Sequence, residues 1–306
     1  MRTRYALPLS ALAVVTLLTG CTTASEDLGS TSTASGAAEA EAFDPASVAE
    51  DPELAAMMPD AVAEDGVLTV GAELTYAPAE FLDADGKTPV GFDVDIAAAV
   101  AATLGLTSQV ESSTFDAIIP AVGTKYEVGI SGFTIDAERL KVAHMISYFD
   151  AGSQFAVQTG NPEGVDTADL CGTTMGVQTG TVQQGELDEL SAQCEADGTE
   201  AIEVLPYDSQ AEVTTNLVGG KVQGMYADSP VTAYAVEQAG GSIETLGDIT
   251  DAAPYGVVVA QDDDELAAAI QAALQQLMDD GTLAQILDTW GNAEGALTTA
   301  ELDPGL

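Results

Sequence analysis

Residues 93–105 read DVDIAAAVAATLG. Apolar residues recur there at helical spacing and Gly105 supplies the stop, so the stretch predicts a helix. Before it, GVLTVGAE (residues 66–73) predicts a strand. After it, SQVES (108–112) predicts another. A strand, a helix and a strand in succession are the repeating unit of an α/β sheet.

The pattern continues along the chain. FDAIIPAVG predicts a helix and EVGIS (127–131) a strand. TTMGVQ, AIEVL and VQGMYA predict strands, separated by helices around 182–196, 209–218 and 230–239. YGVVVA (255–260) is a near-continuous apolar strand. DDDELAAAIQAALQQLMDDG (262–281) predicts an amphipathic helix whose acidic first turn suits the positive end of its dipole. Leu266, Ile270, Ala273, Leu274 and Leu277 mark its buried face. A last helix, LAQILDTWG, carries the only tryptophan, Trp290, which we assign to the core.

The chain holds 7 basic and 50 acidic residues, a formal net charge of −43. So negative a surface repels nucleic acid and anionic lipid headgroups. The hydrophobic fraction of 46% is that of a folded protein, not a disordered one. His144 is the only histidine, and no cysteine spacing suits a metal, so neither metal nor cofactor is expected and His144 is assigned a structural place.

The first residues predict export. Arg2 and Arg4 precede ALPLSALAVVTLL, an apolar core too short to span a bilayer comfortably. It ends in LTGC, and that approach to Cys21 resembles a bacterial lipobox. The resemblance implies a signal peptide over 1–20, acylation of Cys21, and anchoring on the outer face of the cytoplasmic membrane. Residues 21–60 are small, polar and acidic, as in a flexible tether, although the piece near Leu54–Met58 has the composition to pack on the body. In an exported chain Cys171 and Cys194 suggest a disulfide, with two buried thiols as the alternative.

GFDVDIAAAVAATL (91–104) matches a signature of the family 3 solute-binding proteins of bacterial ABC transporters: glycine, aromatic, acid, aliphatic, acid, aliphatic, then an apolar helix. YAPAEF (76–81), FDAIIPAVGTKYEVGISGFTIDAERLKVAHMISYF, MGVQTGTVQQ, GMYADSP and LMDDGTLAQILDTWG resemble further parts of that family, in order, from residue 66 to 297. The resemblance implies an α/β, two-lobed periplasmic-binding-protein (Venus flytrap) type II fold with two crossover strands. Lobe 1 would be 61–156 with 255–306, and lobe 2 would be 157–254. The chain would cross near 154–158 and return near 254–258. The ligand would lie between the lobes, outside the carboxyl ends of the strands.

By the same resemblance, Arg139 would hold a ligand carboxylate through its planar fork of donors. Ser131, Gly132, Phe133 and Thr134 would surround the ligand head. Gln178, Gly180 and Thr181 would hold the carboxylate from the second lobe, at a helix start. Asp228 would receive an α-ammonium group; its plainer reading is a helix N-cap. Tyr76 and Phe81 would pack on the ligand side chain, with Phe133 or Phe115 opposite. Glu80 is either a partner for a cationic side chain or one surface acid among many. The implied function is capture of a polar α-amino acid by a monomer and delivery to a membrane permease with its ATPase subunit. The chain itself has no Walker sequence and is not expected to be an enzyme. The alternatives are a cyclic-acid dehydratase on the same fold and a ligand sensor.

Overall fold

The computed structural model describes residues 43–305. The signal segment and Cys21 lie outside the described residues. Two short helices come first, α1 (Pro52–Ala55) and α2 (Asp60–Ala63). Strands β1 (Val67–Ala72), β2 (Thr75–Tyr76), β3 (Glu80–Leu82) and β4 (Pro89–Val90) follow. Helix α3 (Phe92–Thr103) leads to β5 (Thr107–Ser112), α4 (Phe115–Ile118), β6 (Val128–Gly129) and the long β7 (Ala143–Gln158). Next come β8 (Thr174–Gln178), α5 (Val182–Ala196), β9 (Glu203–Tyr207), α6 (Gln210–Val218), β10 (Gly224–Asp228) and α7 (Ser229–Gln238). Strand β11 (Ile243–Ala260) and helices α8 (Asp264–Asp279) and α9 (Thr282–Thr289) complete the order.

Eight strands form one sheet in the order β5-β1-β6-β11-β7-β10-β8-β9, and β2-β3-β4 form a small second sheet. At each end of the large sheet the strands are parallel: β1 with β5 and β6, and β8 with β9 and β10. Parallel neighbours need helical crossovers, which is why the sequence alternates strand and helix. The centre is antiparallel. β7 and β11 pair from Ala143↔Ala260 to Gln158↔Ile243 and run through both halves of the sheet. Their pairing shifts register between Leu246 and Thr250 and again between Thr250 and Ala253. β10 joins β7 only from Ser153 onward. The ladder therefore changes partners near residues 151–153 and 250–253. That change coincides with the least regular part of the ladder.

Each half has its own core. In the first, α3, α8 and α9 bury Ile96, Val100, Ile270, Leu274 and Ile286 over β1 and β11. The α8 face read from the sequence is buried as expected, and Trp290 packs at its edge, donating from Nε1 to Asp95. In the second, Val177, Leu187 and Tyr226 pack under α5, and Val213, Leu217 and Met225 under α6. Cys171 and Cys194 are bridged at the far end of α5. Closing a loop of that span stabilises by on the order of 3 kcal/mol in the chain-entropy account.

Composition alone ends the tether at residue 60, but the structure packs the chain from Phe43. Phe43 and Met58 are buried, Val48 and Leu54 partly so, and the Asp51 N–H donates to the Thr103 carbonyl. A few apolar side chains spaced through a polar stretch suffice, because α3 and α8 offer them an apolar surface.

Gly91 fixes where α3 begins. Its φ is +129°, and a Cβ there would lie 2.1 Å from the Ala79 carbonyl oxygen. That closeness lets the Asp93 N–H donate to Ala79 and turns Asp93 inward beside Glu80. At the other end of the chain, residues 296–303 lie along β7, with Ala296 paired to Phe149 and Leu302 to Ile146. His144 Nδ1 is 2.7 Å from Asp303 and Nε2 is 3.2 Å from Asp264. Burial disfavours the charged ring, but the two aspartates outweigh it and its pKa is raised.

Two outcomes are expected. Gly91→Ala combines overpacking with a backbone conformation that L residues avoid, and should cost on the order of 3 kcal/mol. Calorimetry should show Tm lower by roughly 6–12 °C. The His144 pair stabilises fully below the ordinary histidine pKa, and this is lost as pH rises through the raised value. The difference in Tm between the native chain and His144→Gln should thus be larger in mild acid than in mild alkali.

Candidate ligand-binding site

The site forms where the carboxyl ends of β1, β6, β8 and β10 meet. Tyr76, Ser131, Gly132, Arg139, Gln178, Gly180 and Asp228 come together there. Among the described residues, three residue pairs are hydrogen-bonded across the site. The Tyr76 hydroxyl donates to Asp228 Oδ2 at 2.7 Å, Gln178 Nε2 to Glu73 Oε2 at 3.1 Å, and Arg139 Nη2 to the Gly180 carbonyl at 3.2 Å.

Arg139 is held from several sides. Its Nη1 donates to the Thr134 carbonyl at 2.6 Å and its Nε lies 3.5 Å from Asp136. Its guanidinium sits 5.5 Å from the Phe115 ring centre and 5.7 Å from that of Phe133. Burial lowers its pKa, with Asp136 and Asp228 opposing. An arginine stays charged regardless. Of its five N–H groups, one on each terminal nitrogen is left over by these bonds.

Asp228 occupies the N-cap position of α7, but its side chain makes no capping bond. Its oxygens accept instead from Tyr76 and from Gln183 Nε2 at 2.7 Å. Gln183 is itself oriented by Ser153. Burial raises the Asp228 pKa, and the bonds from Tyr76 and Gln183 work against that rise. The phenols of Tyr76 and Tyr255 are kept neutral by burial and by the Asp228 charge.

A second group of acids lies beneath Ser131 and Gly132. Asp93 accepts the Gly132 N–H at 2.8 Å and the Tyr148 hydroxyl at 2.6 Å. Gly132, at φ +58°, turns its N–H inward toward that carboxylate. Ser131 donates to Glu80 Oε1 at 2.5 Å and accepts the Glu73 N–H at 3.0 Å. Glu80 Oε2 and Gln178 Oε1 meet no donor among the described residues. Glu73, Glu80, Asp93 and Asp228 are all buried, at 5% exposure or less. Burial raises the pKa of each, that of Asp93 to about 6.

Three expectations need correction. Phe81 does not join this group. Side chains alternate along β3, so Glu80 points in and Phe81 points out, 5.8 Å from the rings of Tyr234 and Trp290. Phe133 is fully buried and stacked on Phe115, so both support Arg139 rather than forming an open wall. The Thr181 hydroxyl caps α5 through the Gln184 N–H and donates to the Gln178 carbonyl, which leaves backbone N–H groups as the donors of that turn. Sequence reasoning missed Glu73, Asp93 and Gln183. Glu73 ends a predicted strand and Asp93 sits in the quoted signature. With 50 acids in the chain, neither stood out. Gln183 is the second residue of α5 and gave no signal.

Two α/β halves on a shared pair of strands, with charged groups facing across their junction, define a two-lobed binding protein of the periplasmic type II class. Residues 68–293 match the bacterial extracellular solute-binding proteins, family 3, and the chain belongs to that family. It is 40% identical over 254 residues to the arginine-binding protein ArgT of Corynebacterium glutamicum, covering 81% of this chain and 82% of that one. An ancestral arginine-binding protein bound to arginine superposes with a TM-score of 0.68 at 33% identity, covering 74% of this chain and 98% of the other. An ancestral amino-acid-binding protein described as a precursor of cyclohexadienyl dehydratase gives 0.68 at 30% identity, covering 76% and 98%.

Proposed function

We propose that this chain is the extracytoplasmic binding component of an ABC importer and captures a cationic amino acid, L-arginine first among them. The observation that carries this reading is the imbalance of charge at the site. One cation, Arg139, already paired with Asp136, shares the site with buried acids at Glu73, Glu80 and Asp228. The zwitterionic head of an α-amino acid uses Arg139 for its carboxylate and Asp228 for its ammonium. Glu73 and Glu80 are then left over as two further acids at the site. A guanidinium offers five donors and no acceptor, which suits them. The arginine-binding relatives favour the same ligand.

Capture works by closure about the β7–β11 crossover. Ligand bound to one half presents its remaining polar groups to the other, and closure gains only the contacts that the open form lacks. The lobe limits implied by the resemblance, 61–156 with 255–306 and 157–254, lie within a few residues of the irregular stretch of β7 and β11. A lipid on Cys21 and a tether would keep the protein near a membrane permease and its ATPase subunit. Among the described residues no helix is long and apolar enough to cross a membrane.

The dehydratase-related neighbour keeps an enzyme reading in view. The geometry favours binding. Both oxygens of the Asp228 carboxylate already accept hydrogen bonds, from Tyr76 and Gln183, which suits a fixed partner for an ammonium group.

Calorimetric titration of the refolded body with the common amino acids tests the proposal. L-arginine should bind one to one, and L-lysine more weakly. Arg139→Ala should fold normally and bind L-arginine at least about thirtyfold more weakly, since truncating one partner of a buried charged pair costs about 2–5 kcal/mol. Unchanged affinity in the folded variant would remove Arg139 from the site.

A further inference from the structure

Glu80 and Asp93 are two fully buried acids side by side, at β3 and at the first turn of α3. Two adjacent carboxyls in an apolar setting do not both ionise. The donors around them are shared unequally. Asp93 receives a backbone N–H and a phenol hydroxyl, whereas Glu80 receives one serine hydroxyl on Oε1. Oε2 of Glu80 meets no donor among the described residues. This sharing of donors favours the charge on Asp93 and the proton on Glu80. The charged groups that act on Glu80 are Asp93 from α3 and Glu73 from the end of β1, both acids. Tyr76 on β2 and Tyr148 on β7 face it as neutral phenols. Burial, Asp93 and Glu73 all raise its pKa, and the Ser131 bond opposes them only in part.

We propose that Glu80 is protonated in the ligand-free chain and loses that proton to solvent when a cationic side chain binds, so that cationic amino acids bind with proton release and neutral ones without it. This rests on the amino-acid-binding reading above. The Glu80 O–H bond breaks as the cleft closes, and the proton passes to water or a buffer base. The carboxylate left behind accepts N–H bonds from the ligand guanidinium through Oε2. A neutral amino acid brings no charge to stabilise the carboxylate, and Glu80 keeps its proton. Glu80 then sets specificity through pH: as pH rises the preference for a cationic ligand grows, and as pH falls it fades.

Isothermal titration of the native chain with L-arginine near about pH 7, in phosphate and in Tris, reads the proton directly. The two buffers differ widely in heat of ionisation, so proton release appears as a difference in binding heat. The expected difference for L-arginine corresponds to about one proton, with affinity rising about tenfold per pH unit while Glu80 is protonated in the free chain. L-glutamine, where it binds, should give equal heats in both buffers. Glu80→Gln keeps an acceptor for Ser131 and should abolish the difference for L-arginine. Arginine binding with buffer-independent heat and a flat pH profile would overturn the proposal and leave amino-acid capture standing. A difference that persists in Glu80→Gln would assign the proton to another group and overturn it as well. No binding of any amino acid would overturn both readings.

Discussion

One guanidinium set against buried carboxylates is the constraint on which the rest depends. Burying a charge is costly unless it is paired, and burying several acids near one cation is costlier still. The protein manages this with local donors. Gly132 and Tyr148 serve Asp93, Ser131 serves Glu80, Thr75 and Gln178 serve Glu73, and Tyr76 and Gln183 serve Asp228. Each donor lies at a strand end or a helix start, where backbone geometry leaves side chains and N–H groups turned toward the junction. Of these carboxylate oxygens, Glu80 Oε2 alone meets no donor among the described residues.

The architecture follows from that placement. Parallel strands end on one side, so β1 and β6 of one half and β8 and β10 of the other bring their carboxyl ends to a common junction. β7 and β11 join the halves as a two-stranded ribbon, and their register breaks where the chain passes between halves. A ribbon bends there more readily than a regular ladder. The C-terminal segment pairs with β7 only as far as Phe149, which leaves the following residues free of that edge contact.

Much of this was legible in the sequence. The alternation of strands and helices, the buried face of α8, and the turn from Ser131 to Arg139 follow from periodicity, glycine placement and the quoted signatures. Asp228 and Arg139 meet at one junction although nearly ninety positions separate them in the chain, and only the strand-end rule brings them together. What was not legible has physical causes. Phe81 and Glu80 exchange roles through the pleat of a three-residue strand, too short for its phase to be read. The tether packs from Phe43 because the surface that receives it is built by α3 and α8, far along the chain. Glu73 and Asp93 are acids among many, and only burial distinguishes them from the rest.

A crystal structure of the chain with L-arginine tests the central claim most directly. The expected result places the ligand carboxylate on the Arg139 guanidinium, in place of the Gly180 carbonyl, with its ammonium on Asp228 and its guanidinium against Glu73 and Glu80. A ligand bound in the reverse sense, or an Arg139 still bonded to Gly180 beside a ligand held elsewhere, would contradict it.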